Sequence, residues 1–174
     1  MSFTVTRTYL TLPTLAALVP GRGEVAARLV HIAPCPVDQW RALYRQIGAA
    51  WHWHDRDLWD QGRMQTHLDR ADVRIYQMVD DTAPAATDPI GFLELERHHD
   101  GSVEIAYLGL DHRAFGRGLG AWLVTEAART AFAWGATRVW LHTCTLDSPA
   151  ALPNYLARGF SIEKTETYEA TLSS

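Results

Sequence analysis

Residues 103–122 read VEIAYLGLDHRAFGRGLGAW. A stretch typical of a strand ends at Leu110, and an apolar helical stretch begins near Leu119. The link between them contains glycine at alternate positions: Gly116, Gly118 and Gly120. Glycine lets backbone N–H groups approach a ligand without an intervening Cβ, and a helix N-terminus carries unpaired N–H groups and a partial positive charge. The stretch therefore predicts either a glycine-rich turn or a loop that binds an anion such as a phosphate.

The spacing of these glycines excludes two common phosphate-binding motifs. The run is G-x-G-x-G, whereas dinucleotide-binding folds read G-x-G-x-x-G, and no Lys-Ser or Lys-Thr pair follows as it does in P-loops. Arg117 stands between the first two glycines, where it can add positive charge at the rim of the loop.

Hydrophobic periodicity along the chain predicts an α/β domain with a mixed sheet. The predicted order is one strand, two helices, three strands, and then helix, strand, helix and strand. The predicted strands cover residues 25–32, 73–79, 90–97, 103–110, 137–143 and 160–168, and the predicted helices cover residues 37–48, 64–69, 119–134 and 149–158. The three consecutive strands, separated by short polar turns, indicate an antiparallel meander.

The length and composition favour one globular domain. The chain has 174 residues, 47% of them hydrophobic, and a formal net charge of -4. Residues 1–24 end in a Pro-Gly-Arg-Gly cluster, so we expect an N-terminal extension packed on a single domain of residues 25–174. The negative charge and the lack of basic runs argue against nucleic acid or membrane partners. Two distant cysteines favour a cytoplasmic, reducing location.

The strand, loop and helix of residues 103–134 resemble the acetyl-CoA loop of the GNAT superfamily of N-acetyltransferases. Members tend to read V-x-P-x-x-R-G-x-G-x-G there; Leu110 matches the first position, and the three glycines match in register. His112 replaces the proline, and Phe115 replaces the usual Arg or Gln. A second frame that begins at Arg113 would start the helix two residues too early and leave Gly120 unexplained.

A second stretch, DSPAALPNYLARGF, resembles the family's N-x-x-A-x-x-x-Y-x-x-x-G-F pattern. Ala151, Tyr155, Gly159 and Phe160 match it, and Ser148 stands where Asn is commoner. The resemblance implies a GNAT fold, with a mixed, mostly antiparallel central sheet flanked by helices. It also implies acetyl-CoA as co-substrate, with these cofactor-binding residues: Leu108, Leu110, Phe115, Gly116, Arg117, Gly118, Leu119, Gly120, Ala121 and Ser148.

Two residues are the candidate catalytic groups for acetyl transfer to an amine. Glu104 lies six residues before Leu110, where the histone acetyltransferase branch of the superfamily also has a glutamate, and we expect it to be the general base. A carboxylate on a partly buried strand should have a raised pKa, which suits that role. By the same resemblance, the hydroxyl of Tyr155 would protonate the leaving thiolate.

The segment after the first helix is the candidate acceptor site. Its aromatic and acidic side chains suit a cationic small-molecule amine such as a polyamine, an amino acid derivative or an aminated sugar, and we expect Trp51, Trp53 and Asp55 to bind it. The alternative is that the tryptophans form a packed patch of the core. The histidines show no metal-ligand spacing, so we expect no metal. Direct transfer in a ternary complex is the favoured function. An acyl-CoA-binding sensor, a nucleotide-phosphate binder, a longer acyl donor and a homodimer stay open alternatives.

Overall fold

The computed structural model describes residues 2–82 and 88–171. Its strands are β1 (Ser2–Leu12), β2 (Ala27–Ile32), β3 (Val73–Asp80), β4 (Pro89–Arg97), β5 (Val103–Leu110), β6 (Val139–Cys144) and β7 (Ser161–Thr171). Its α-helices are α1 (Val37–Gly48), α2 (Gln61–Leu68), α3 (Leu119–Ala133) and α4 (Ala151–Ala157). Each predicted strand and helix is present, with ends shifted by a few residues.

The strands of the described residues form one mixed sheet in the order β2-β3-β4-β5-β6-β1-β7. Neighbouring strands are antiparallel except β5 and β6, which are parallel because α3 connects them. The predicted meander is confirmed as β3, β4 and β5. The fold is therefore the mixed, mostly antiparallel α/β architecture that the sequence predicted.

The N-terminal segment differs from the extension that we predicted. β1 lies inside the sheet, between β6 and β7, and it joins those two strands by pairing with both. Burial of both faces of β1 explains this position. Val5 points to one face of the sheet, Leu10 and Leu12 point to the other, and all three are completely buried. The sheet of the domain thus begins at residue 2 and not after residue 24.

Helices cover both faces of the sheet and give each face its own apolar layer. On one face, α3 packs through Val124, Ala127 and Ala131 against strand residues such as Leu93. On the other face, α1 and α2 pack against Phe92. Because Phe92 and Leu93 are adjacent in β4, their side chains point to opposite faces, as the pleat of a strand requires.

A β-bulge in β5 changes which face its side chains meet. The register with β4 shifts between Glu94 and Leu95, so that Leu95 pairs with Ile105 and Glu94 pairs with Tyr107, which leaves Ala106 as the extra residue. Tyr107 consequently joins the α1–α2 layer. Beyond this bulge β5 separates from β6, and the separation creates the site described below.

Candidate active site

A cavity of about 730 Å³ lies where β5 and β6 separate. The two strands pair only at Val103 with Val139 and at Glu104 with Trp140 in the described part of the chain. From Ile105 to Leu110, every residue of β5 lines the cavity. Because no strand of the described residues pairs with this edge of β5, its backbone N–H and C=O groups can bind an extended ligand as an added strand would.

One end of the cavity, which we call the loop end, consists of Phe115, Gly116, Gly118, Leu119 and Gly120. α3 begins at Leu119, as predicted from the match of Gly116, Gly118 and Gly120 to the family pattern, and Gly118 is its N-cap. Gly116 and Gly118 have φ angles of 71° and 74°, in the left-handed region that favours glycine. The loop end therefore presents the first turn of a helix, with its unpaired N–H groups, to the cavity.

Two residues predicted to bind the cofactor lie outside this cavity lining. Arg117 Nη1 lies 2.8 Å from Asp80 Oδ2, and this contact holds the pKa of Asp80 at about 2. The Arg117 side chain is therefore directed to Asp80 at the end of β3, and its expected role at the rim stays a prediction. Ala121 also does not line the cavity, because its side chain, in the first turn of α3, faces Gly21.

The opposite end of the cavity, the polar end, contains Arg7, Glu96, Glu104 and His142. Glu104 Oε2 lies 2.9 Å from His98 Nε2, and Glu104 Oε1 lies 4.0 Å from His142 Nε2. Burial raises the pKa of the Glu104 carboxyl, although the hydrogen bond from His98 opposes this shift. Burial lowers the pKa of His142. Because its pKa is raised, the Glu104 carboxylate binds a proton more readily than an exposed glutamate does.

Tyr155 and Ser148 line the cavity from α4 and the turn before it. Tyr155 is buried, and its ring packs against Phe160. Burial raises the pKa of its phenol, which keeps the hydroxyl protonated at neutral pH. Asn154 also lines the cavity and approaches Gly120, and it was not predicted from the sequence. A polar residue on α4 beside the matched tyrosine was the only available signal.

The three predicted acceptor residues, Trp51, Trp53 and Asp55, all line the cavity. Trp53 packs on Tyr107, with a ring-centroid distance of 5.0 Å, and therefore also belongs to the core. Asp55 Oδ2 accepts a hydrogen bond of 2.8 Å from the hydroxyl of Tyr107. Trp51 contacts Phe115, with a centroid distance of 6.4 Å, and so connects this segment to the loop end.

A buried charged cluster beneath the polar end was not predicted from the sequence. Glu94 is completely buried; its Oε1 atom accepts a hydrogen bond of 2.7 Å from Arg56 and lies 2.8 Å from His67 Nε2, and its Oε2 atom accepts one of 2.7 Å from Trp40. Burial would raise the pKa of Glu94, but these partners hold it lowered. A glutamate inside the apolar run GFLELE was the signal in the sequence.

One group in the described residues has the ligand types and spacing that could hold a metal: Glu96, His98 and Glu104, whose ligand atoms lie within 4.8 Å of one another. Glu96 already binds Arg70 at 2.7 Å. That guanidinium neutralises one of the two carboxylates, so the group is less suited to a divalent cation than its atom types alone suggest. The prediction that the protein needs no metal stays a prediction.

The cysteines do not offer an activated nucleophile. Cys35 is buried, and burial raises its pKa to about 11. Cys144 lines the cavity, and burial raises the pKa of its thiol as well. Since the thiolate is the nucleophilic form, the geometry does not favour a covalent acyl-cysteine.

Comparison with known proteins agrees with this geometry. The sequence model described as Acetyltransferase (GNAT) family matches residues 37–160, which is well over half of the chain. The chain belongs to the GNAT acetyltransferase family. The GNAT match includes the glycine loop, Glu104 and Tyr155, but leaves β1 outside it. None of the curated proteins compared with the chain matches it.

Solved structures of acetyltransferases share the fold at low sequence identity. A GCN5-related N-acetyltransferase from Kribbella flavida is 20% identical, with a TM-score of 0.64 over 97% of this chain and 58% of its own. One from Sphaerobacter thermophilus is 14% identical, with a TM-score of 0.65 over 96% and 51%. An aminoglycoside acetyltransferase from an uncultured soil metagenomic sample is 16% identical, with a TM-score of 0.60 over 76% and 87%. The chain thus spans between half and three-fifths of the two GCN5-related structures.

No helix in the described residues has the length and apolar character needed to cross a membrane.

Proposed function

We propose that this GNAT protein is an acetyl-CoA-dependent N-acetyltransferase that transfers the acetyl group directly to the amine of a small molecule. One observation carries the proposal: a carboxylate with a raised pKa, Glu104, and a protonated phenol, Tyr155, line the same cavity as the glycine loop. This combination supplies a base, an acid and an anion-binding helix terminus around one gap in the sheet.

The cofactor would lie along the unpaired edge of β5. The N–H groups of Gly116 through Gly120 suit its pyrophosphate, and the backbone of Leu108 and Leu110 suits the pantetheine arm. No cation from Arg117 contributes, so the backbone and the helix dipole provide the favourable electrostatics. Ser148 and Asn154 offer polar contacts at the α4 side of the cavity.

Glu104 would take a proton from the acceptor ammonium, either directly or through a water molecule. The freed nitrogen lone pair attacks the thioester carbonyl carbon, so that the C–N bond forms and the C–S bond breaks. The N–H of Leu110 is the candidate donor to the developing oxyanion, and the Tyr155 hydroxyl gives its proton to the leaving sulfur. The attacking nitrogen loses its second proton to water as the amide forms, and the Tyr155 phenolate regains a proton from water. The aromatic and acidic side chains of Trp51, Trp53 and Asp55 would hold the amine.

Ligand binding and turnover test the proposal in sequence. In a thermal-shift titration we expect stabilisation by CoA and acetyl-CoA, but not by ATP or NAD. Release of the CoA thiol is then followed with a panel of amines, which includes aminoglycosides because a structural neighbour is an aminoglycoside acetyltransferase. We expect Glu104→Gln to lower kcat by about 10²- to 10⁴-fold while CoA binding is retained.

Glu126→Gln is the matched control, since Glu126 lies on α3 outside the cavity and pairs with Arg129. CoA binding without turnover of any amine would favour the sensor alternative. Stabilisation by ATP or NAD, together with no stabilisation by CoA, would favour a nucleotide-phosphate binder and contradict the proposal.

A further inference from the structure

The polar end of the cavity contains a cation, Arg7, that has no carboxylate partner among the described residues. Arg7 lines the cavity from β1, and its Nε atom is buried without any hydrogen-bond partner in the described residues. Within the same residues it forms no ion pair, and its guanidinium lies 5.0 Å from the ring centroid of Tyr168. A guanidinium with a desolvated N–H is costly unless an acceptor occupies it.

Two carboxylates in the surroundings of Arg7 already accept hydrogen bonds from other residues. Glu166 is opposite Arg7 in the register of β1 and β7, yet it binds Lys164 Nζ at 2.8 Å and the Tyr9 hydroxyl at 3.1 Å. Asp147 also lines the cavity, and its Oδ2 atom accepts from Thr143 Oγ1 and Cys144 N. Within the described residues Arg7 therefore contacts the tyrosines Tyr9 and Tyr168 but forms no ion pair with a carboxylate.

Sheet register places Arg7 on the same face as the candidate base. Arg7 pairs with Cys144, two residues after His142, and Glu104 pairs with Trp140, two residues before His142. Because side chains two residues apart share a face, Glu104, His142 and Arg7 point to the same side of the sheet. Val103 and Leu141, their neighbours in sequence, pack on the other face against α3.

The face of the sheet on which the Arg7 side chain lies determines which anion it can bind. The loop end, the site proposed for the cofactor phosphates, is built on α3, across the sheet from the Arg7 side chain. The acceptor would enter on the Arg7 side, where Glu104 attracts an ammonium at one edge and Arg7 attracts an anion at the other. Such an arrangement of charges suits a ligand with both groups.

We infer that Arg7 binds a carboxylate of the acceptor, so that the substrate is an amine that also carries a carboxylate, such as an amino acid. This inference rests on the proposed function and names the substrate class of the same site. The guanidinium fork matches a carboxylate in a bidentate geometry, with charge-assisted hydrogen bonds.

Matched ligands test the inference by binding as well as by turnover. The probes are the α-amino acids, β-alanine and 4-aminobutyrate, each compared with its carboxamide, in the presence of CoA. We expect at least one carboxylate ligand to bind about 10- to 100-fold more tightly than its carboxamide, as charge-assisted hydrogen bonds imply. With acetyl-CoA, we expect the same preference in kcat/KM, mainly through KM.

Arg7→Gln should abolish this preference and leave CoA affinity unchanged, and Arg7→Lys should restore it in part. Arg158→Gln is the matched control, because Arg158 Nε is also buried without a partner but Arg158 does not line the cavity. The inference is overturned if no carboxylate ligand binds or if carboxamides bind equally well. It is also overturned if Arg7→Gln and Arg158→Gln change the preference for the carboxylate ligand equally.

The wild-type comparison of carboxylate with carboxamide needs no variant, so it decides the matter even if Arg7→Gln does not fold. Failure of the proposed function looks different from failure of this inference. Amines that are acetylated without a carboxylate preference would overturn the role of Arg7 alone. Binding of amino acids without any acetyl transfer would overturn the enzyme and leave the role of Arg7 intact.

Discussion

The two ends of the cavity are built in different ways. The loop end consists of neighbours in sequence, Phe115 to Gly120, and offers mainly backbone N–H groups. The polar end assembles side chains from β1, β4, β5 and β6, and a buried ion cluster lies beneath it. A backbone site suits a cofactor shared by a whole family, whereas a side-chain site can change with the acceptor while the fold is kept.

The largest expected effect concerns the buried cluster that supports the polar end. Glu94→Gln would leave Arg56 buried without its charged partner, and we expect the free energy of unfolding to fall by about 3–5 kcal/mol. Urea denaturation measures this loss. The exposed pair of Glu126 with Arg129 provides the control, since Glu126→Gln should cost no more than about 1 kcal/mol.

The pH dependence of unfolding gives a second measurement of the same cluster. The folded-state pKa of Glu94 is lowered, so its stabilisation is present above the usual glutamate pKa of about 4.3 and is lost as the pH falls through the folded value. Glu94→Gln should remove this part of the acid sensitivity. An unchanged acid profile, or a loss below about 1 kcal/mol, would show that the cluster contributes little.

A smaller effect is expected at the loop end, where backbone conformation is decisive. Gly118→Ala places a Cβ at a φ of 74°, which costs about 1–2 kcal/mol, although the space around it is open. We expect CoA affinity to fall about tenfold, because the N–H groups of the first turn of α3 would shift. Isothermal titration calorimetry with CoA measures this loss of affinity.

Gly135→Ala separates the backbone cost from the ligand effect. Gly135 follows the other end of α3, has a φ of 98° with open space around its Cβ, and does not line the cavity. We expect a similar loss of stability without a change in CoA affinity. Equal CoA affinity in both variants would show that the loop end does not bind the cofactor.

The smallest effect is expected at Arg117, the residue whose position the sequence did not predict. Because its guanidinium binds Asp80, Arg117→Gln should change CoA affinity by less than about twofold, as expected for a partly exposed ion pair remote from the ligand. Titration with CoA at low and high salt checks this. A tenfold loss at low salt would indicate that Arg117 reaches the phosphates after all.

The same contrast explains how much could be predicted from the sequence. The strand, loop and helix around Gly118 are local, so spacing alone placed the start of α3 at the correct residue. Arg117 binds Asp80, a partner from a distant strand that no local pattern reveals.

Arg7 was missed for a related reason. The breaker cluster after residue 19 suggested a separate extension, although the alternation in SFTVTRTYLTL was the available signal for an internal strand. Its place beside the cavity depends on pairing with Cys144, which lies 137 residues further along the chain. Contacts over such separations follow from the fold and cannot be read from spacing.

Glu104 is the proposed base of the acetyl transfer, and the ratio of kcat between the wild type and Glu104→Gln is the decisive measurement of this role. This ratio is measured with saturating acetyl-CoA and acceptor from about pH 4.5 to 9, a range above the usual glutamate pKa of about 4.3. Because both proteins are measured with the same acceptor at each pH, the ionisation of the free acceptor in solution is common to both and cancels from the ratio. We predict that the ratio rises with pH through the raised pKa of Glu104 and levels off at about 10² or more. A ratio near one at every pH would contradict the account.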